Sequence, residues 1–317
     1  MRRTLTTLVD GESPDLIHTH LIRMAPYTSQ MSSIPRVLDM TDAVSLYLER
    51  YRRSSPNPLW RLFLGIELRR MIRFERIIQK FDKGLVCSPA DRDLLTGRVP
   101  HARIALLENG VDLEMFSQTD TVHYDQNRII LTGNMSYFPN ADGARYLVEK
   151  IFPMVKKSVP LAKLYIVGQS PPRSVRNLES KDVVVTGFVQ DIRAEYLKSS
   201  VAVSPIRFGA GTLNKVLEPL ALGIPVVSTS LGIKGLDLEI GKDILVSDDS
   251  NGFAENVVRV LTDRHLRAKL ARSATDKVRT RFSWTKVASR LEQYYGEVLE
   301  ESAGIKSSKE TAQKQLS

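Results

Sequence analysis

Chemistry-bearing residues concentrate in one short segment, Ser204-Pro205-Ile206-Arg207-Phe208-Gly209-Ala210-Gly211-Thr212-Leu213-Asn214-Lys215-Val216-Leu217-Glu218. It reads as a strand, a glycine-rich turn and the start of a helix. Gly209 and Gly211 lack a Cβ and let the backbone approach a ligand closely, while Thr212 has a side chain suited to cap the helix. Free amides at a helix start favour an anion. Arg207 and Lys215 supply cations for a diphosphate. Glu218 follows Lys215 by three residues, so one helix face carries both. A carboxylate beside a phosphate site suits the hydroxyls of a ribose. The third glycine of the dinucleotide fingerprint is missing, and no Gly-Lys-Ser/Thr follows to make an NTPase loop. Spacing alone therefore also admits a plain turn followed by a Lys–Glu helical pair.

The first half of the chain offers a second group. His18 and His20 lie two apart on an expected strand, hence on one face, the arrangement of a metal pair. No further ligand set accompanies them in the sequence, so neither a metal nor a cofactor is expected. Asp39 and Asp42 follow the next strand. They read either as cleft carboxylates that orient an acceptor hydroxyl or as a strand-end turn with Asp42 capping a helix. Residues 50 to 80 hold nine basic side chains against Glu67 and Glu75. Arg69, Arg73, Arg76 and Lys80 recur there at helical spacing, with Leu68, Met71, Ile72 and Phe74 between them. That pattern predicts an amphipathic helix with a basic stripe, either solvated or set against an anionic membrane surface. No aromatic stacking platform or known module accompanies the charge, which argues against nucleic acid.

These residues need a scaffold. The chain has 317 residues, 42% apolar and 26% charged, with a formal net charge of +9. That composition excludes a disordered chain, a collagen and a disulfide-stapled scaffold, and the length suits two domains. The lone cysteine, Cys87, cannot form an internal disulfide, which fits a reducing cytoplasm. No apolar run approaches the roughly 18 to 20 residues of a membrane span. The start, with Arg2 and Arg3, lacks the apolar core of a signal peptide. Strands are predicted at 15–20, 36–40, 83–88 and 104–107, and then at 128–132, 163–167, 182–186, 201–205, 225–229 and 243–246. Helices are predicted at 89–97, 141–157, 190–199, 212–222 and 251–281. Apolar strands alternating with helices imply an α/β fold with parallel sheets, whose ligands sit at the strands' carboxyl ends.

With the order of motifs in place, the chain resembles family 4 glycosyltransferases, retaining enzymes of the GT-B fold. The match rests on the 204–227 segment, on Glu108-Asn109-Gly110-Val111-Asp112, and on Gly133-Asn134-Met135-Ser136-Tyr137-Phe138-Pro139-Asn140. Val185-Thr186-Gly187-Phe188-Val189, Ser228 to Leu236 and Phe282-Ser283-Trp284 also fit. Within that family it is most similar to the sugar transferases of exopolysaccharide gene clusters. The resemblance implies two Rossmann-like domains and transfer of a hexose from a nucleotide diphosphate sugar to a glycan or lipid-linked glycan. It implies that Glu218 holds the donor ribose, and that Gly187, Phe188 and Val189 pack on the base. Gly133 and Asn134 line the cleft, Gly209, Gly211 and Thr212 form the donor loop, and Arg207 and Lys215 meet the diphosphate. A histidine-bearing strand end, His18 or His20, falls near the sugar, with Asp42 as a cleft carboxylate. Ala210 stands where the family's first paired acid would be.

The same match sets the expected organisation. Residues 1–116 form a front, acceptor-side domain, 117–127 a linker, 128–283 the donor domain, 284–301 a last helix and 302–317 a disordered tail. The recognisable match begins part-way through the front domain, so its sheet is expected to be incomplete. A nucleotide-sugar-binding protein without transfer activity is the alternative reading. A sugar-nucleotide epimerase would need a Tyr-x-x-x-Lys pair, which is not suitably placed.

Overall fold

The computed structural model describes residues 2–55, 57–117, 125–208 and 214–315. The chain divides into two compact units, Met1–Glu108 with Val287–Ser317, and Asn109–Lys286. The division falls after Glu108 rather than at the expected 116, and the last helix returns to the first unit. No described helix is long and apolar enough to cross a membrane.

The first unit holds α1 (Arg2–Glu12), β1 (Ile17–His20), α2 (Ala25–Thr28), β2 (Arg36–Thr41), α3 (Val44–Ser54), α4 (Pro58–Glu75), β3 (Lys83–Val86), α5 (Pro89–Arg98) and β4 (Ile104–Leu106). Its four strands are parallel, in the order β1-β2-β3-β4. Both faces of the sheet are covered, as its alternating side chains require. Leu38 and Met40 point into a cluster with Ile78 and Leu95. Val37 and Leu85 meet Val298, which lies on the returning helix.

The second unit holds β5 (Asp125–Thr132), α6 (Phe138–Tyr146), α7 (Phe152–Ser158), β6 (Lys163–Val167), α8 (Arg173–Arg176), β7 (Val183–Gly187), α9 (Ile192–Leu197) and β8 (Ser199–Ser204). It continues with α10 (Asn214–Ala221), β9 (Val226–Ser228), β10 (Leu245–Val246), α11 (Ser250–Thr262) and α12 (Arg264–Arg281). A π-helical turn, Leu147–Ile151, joins α6 to α7. All pairings in the six-stranded sheet are parallel, and the order is β10-β9-β8-β5-β6-β7. Central β5 is apolar on both faces. Ile129 and Leu131 join Leu147 and Phe253 on one side, while Ile130 joins Leu217 and Leu220 on the other.

The last helix, α13, spans Trp284–Gln315. This corrects the expected disordered tail from 302, because the helix runs on through that segment to Gln315. The single expected helix over 251–281 is two, since the Asp263 side chain accepts from the Leu266 amide and caps a new start at α12. The basic stripe is also broken. The α-helix stops at Glu75 and Arg76–Lys80 form a 3-10 turn, so Arg76 and Lys80 leave the helical register of Arg69 and Arg73.

Candidate functional site

The order of the second sheet creates a place for a ligand. From β5 the chain winds first toward β6 and β7, then crosses back to β8, β9 and β10. Ligands of doubly wound sheets bind outside the carboxyl ends of the strands, where the winding reverses. Here that point lies between β5 and β8. The residues that leave those two strands are the Gly133 loop and the Pro205–Phe208 segment.

The strand ends are shaped by glycine. Gly133, Gly168 and Gly187 close β5, β6 and β7 with φ of +150°, +149° and +69°. The Gly133 amide donates to the Val167 carbonyl (3.1 Å), and the Gly168 amide donates to the Gly187 carbonyl (3.0 Å). A Cβ on Gly168 would collide with the Gly133 carbonyl oxygen, and one on Gly133 would lie 2.7 Å from Asn140 Nδ2. The backbone can therefore run this close only without side chains.

Helix α10 delivers the two charged residues. Lys215 Nζ donates to Asn140 Oδ1 at 2.5 Å, and Asn140 Nδ2 donates to the Asn134 carbonyl at 2.8 Å. The lysine is thus tied to the loop that follows β5. Burial lowers its pKa from 10.5 to about 8. Glu218, one turn on, accepts a hydrogen bond from the Tyr196 hydroxyl at 3.0 Å, and that hydroxyl also lies 2.7 Å from Thr132 Oγ1. Burial raises the pKa of Glu218 to about 7, against the opposing pull of the Tyr196 bond. Each of the pair has its own partner rather than the other. A half-buried cation and a half-buried carboxylate, neither with a countercharge among the described residues, make a site suited to a ligand bearing both a diphosphate and hydroxyls.

Arg207 is held by a carboxylate. Its Nε and Nη2 bond both oxygens of Asp142, at 2.9 and 2.6 Å, and its guanidinium lies over the Tyr146 ring. A bidentate carboxylate meets the charge that a diphosphate would need. Asn134 is at the loop, where its Oδ1 accepts from the amide and hydroxyl of Ser136. Phe188, after Gly187, is 72% exposed, an unusual state for a large aromatic ring. Val189 packs against the Tyr196 side of the core. Gly209, Gly211 and Thr212, together with Ala210, lie outside the described residues.

In the first unit, β1 and β2 gather the other candidates. His20 Nδ1 is 2.9 Å from Asp39 Oδ2, and its side chain is 62% exposed. His18 Nε2 approaches the same oxygen at 3.9 Å while its Nδ1 is 2.8 Å from the Tyr295 hydroxyl. Burial lowers the pKa of His18. The sequence presented a histidine pair, and the fold adds Asp39 as its shared carboxylate. His20, not His18, faces solvent at the strand end. Asp42 does not cap α3, whose preceding residue Ala43 gives its amide to Asp91 Oδ1 (3.1 Å). Asp42 instead accepts from Cys87 Sγ at 3.0 Å, and burial raises the pKa of both groups. A groove lined by Pro35, Asp82, Arg103 and Glu301 sits at the amino ends of these strands, the end that parallel sheets do not use for ligands.

The sequence placed Asn140 only as the end of the cleft-lining loop from Gly133, and it gave Asp142, Thr132 and Tyr196 no role. Asn140 had a weak signal, since it ends the Gly133 motif. Tyr196 had none, because nothing in the linear order ties α9 to α10.

Residues 126–263 match the family described as "Glycosyl transferases group 1". Among curated proteins, an uncharacterized 44.6 kDa protein in the cps region of Klebsiella pneumoniae is 23% identical over 172 residues, which cover 51% of this chain and 44% of that protein. The chain spans less than half the length of the curated relatives it matches. Among solved structures, sucrose-phosphate synthase from Thermosynechococcus elongatus is similar at a TM-score of 0.74 and 18% identity, covering 95% of this chain and 77% of that one. HepE of Anabaena in complex with UDP-glucose follows at 0.72 and 13%, covering 93% and 82%. The fold is thus the α/β architecture of GT-B glycosyltransferases, two sheets of parallel strands. The matched family supports a transferase.

Proposed function

We propose that the chain moves a hexose from a nucleotide diphosphate sugar to a hydroxyl of a glycan or lipid-linked glycan, with retention of configuration. The setting is cell-surface polysaccharide assembly, as suits the cps-region relative, with the protein cytoplasmic and peripheral at the inner face of the membrane. One observation carries the reading. Lys215 and Glu218 stand on one helix beside the glycine-ended strands at the point where the winding of the second sheet reverses. Lys215 meets the diphosphate and stabilises charge as the bond to the sugar breaks. Glu218 accepts from the ribose hydroxyls. Arg207 joins the diphosphate by exchanging Asp142 for phosphate oxygens, and Phe188 and Val189 receive the base. Gly209, Gly211 and Thr212 are assigned to the donor loop. In the first unit, His20, oriented by Asp39, and Asp42 are assigned to the sugar and acceptor.

UDP or GDP should raise the thermal unfolding temperature of the protein, and Lys215→Ala or Glu218→Ala should remove that protection. Full protection of both variants would overturn the site assignment. Ala210, in the position of an acid, favours a second reading in which the nucleotide sugar is bound and not turned over. Release of nucleotide diphosphate in the presence of glycan acceptors decides between the two.

A further inference from the structure

Helix α4 is docked by one face only. Leu64 and Glu75 are its buried residues, and the Glu75 carboxylate accepts from the Ser45 amide at 2.8 Å. On the opposite face, residues three and four apart are apolar for two turns: Leu59 (76% exposed), Leu62 (67%), Phe63 (48%) and Ile66 (50%). The same face then turns basic, with Arg69, Arg70 and Arg73 all exposed. Trp60 stacks on Phe63 at a 5.0 Å centroid distance and donates Nε1–H to the Tyr51 hydroxyl. Water-exposed Leu, Phe and Ile side by side are costly, and a monomer rarely shows such a patch without using it. A protein partner would explain the apolar half alone. An anionic bilayer explains both halves, since lipid acyl chains accept the first and phosphates the second.

We propose that the outward face of α4 docks on an anionic lipid bilayer, Leu59, Leu62, Phe63 and Ile66 entering the headgroup–acyl boundary and Arg69, Arg70 and Arg73 pairing with lipid phosphates. This deepens the peripheral location stated above by naming its anchor. It rests on that reading for its biological setting, and its readout is vesicle binding rather than transfer.

Flotation of the whole chain with vesicles of zwitterionic lipid, and with vesicles containing phosphatidylglycerol, tests the proposal. Binding is expected only to the anionic vesicles, and weaker at high salt. A Leu62→Gln, Phe63→Gln, Ile66→Gln variant should lose at least tenfold in partitioning. The Arg69→Gln, Arg70→Gln, Arg73→Gln variant should lose on the order of a hundredfold, at about fivefold for each cation. Both sets are exposed, so an unchanged unfolding temperature and unchanged UDP protection keep the test independent of folding and of the nucleotide site. Brominated lipid should quench Trp60 in the wild type. Equal flotation of wild type and both variants, binding to zwitterionic vesicles alike, or a dimer that the Gln variants dissolve into monomer would each overturn it.

Discussion

Lys215 and Glu218 titrate in opposite senses. Glu218 has its pKa raised from 4.5 to about 7, so the folded state holds a proton the unfolded chain releases. Its contribution to stability is full below about 4.5 and is lost as pH rises through about 7. Lys215 has its pKa lowered from 10.5 to about 8, so its contribution is full above 10.5 and is lost as pH falls through about 8. Glu218→Gln should therefore raise the ligand-free unfolding temperature at pH 8 and leave it unchanged at pH 5, where the protonated Glu218 is as neutral as the glutamine. An equal shift at the two values would contradict the burial argument. Nucleotide affinity should peak between about 7 and about 8, where Glu218 is ionised and Lys215 still charged. Tyr196→Phe removes the bond that favours the carboxylate. It should cost about 1–2 kcal/mol of stability and move the acid limb of the affinity profile upward, while a purely structural tyrosine would leave that limb in place. None of this was legible in the linear sequence. Lys215 and Glu218 stood out by type and spacing, but their partners Asn140 and Tyr196 come from elements joined to them only by the fold.

At the scale of elements, β6 lies where its apolar run ended, at Lys163–Val167. Other strands shift by a few residues, because hydrogen-bond pairing and not hydropathy sets their ends. The parallel order was legible as alternation, whereas the reversal at β5 was not, since right-handed crossovers allow winding to either side. Gly133 and Gly187 were visible as motif letters and Gly168 was not, and at Gly133 and Gly168 the purpose is close backbone approach. Gly168→Ala places a Cβ against the Gly133 carbonyl at φ of +149°. It should destabilise the second unit by roughly 3 kcal/mol, strain and clash together. A melting temperature equal to wild type would show that the Gly133 loop is free to give way. The amphipathic pattern of 50–80 was legible too, although its arginines drew attention away from Leu59, Leu62, Phe63 and Ile66. Only the docked helix shows that these four stay on its outer face.

At the scale of the molecule, the chain crosses into its second unit after Glu108 and returns to the first from Val287. Most of α13 thereby belongs to the first unit, with Val298 against Val37 and Leu85 and the Tyr294 hydroxyl donating to the Leu106 carbonyl at 3.0 Å. A tail without apolar period gave no sign of helix, because the contacts that hold it lie earlier, at Leu291 to Val298. Val298→Asp should lower the stability of the first unit by about 3 kcal/mol, seen as an earlier thermal transition, while UDP protection of the remaining transition persists. The central claim is that the carboxyl end of the second sheet holds a nucleotide diphosphate through Lys215 and Glu218. Isothermal titration of UDP and GDP into the full chain tests it most directly. The account predicts saturable binding of at least one nucleotide to the wild type, weakened tenfold or more by Lys215→Ala and by Glu218→Ala in folded protein. Binding of neither nucleotide, or undiminished binding by both variants, would contradict it.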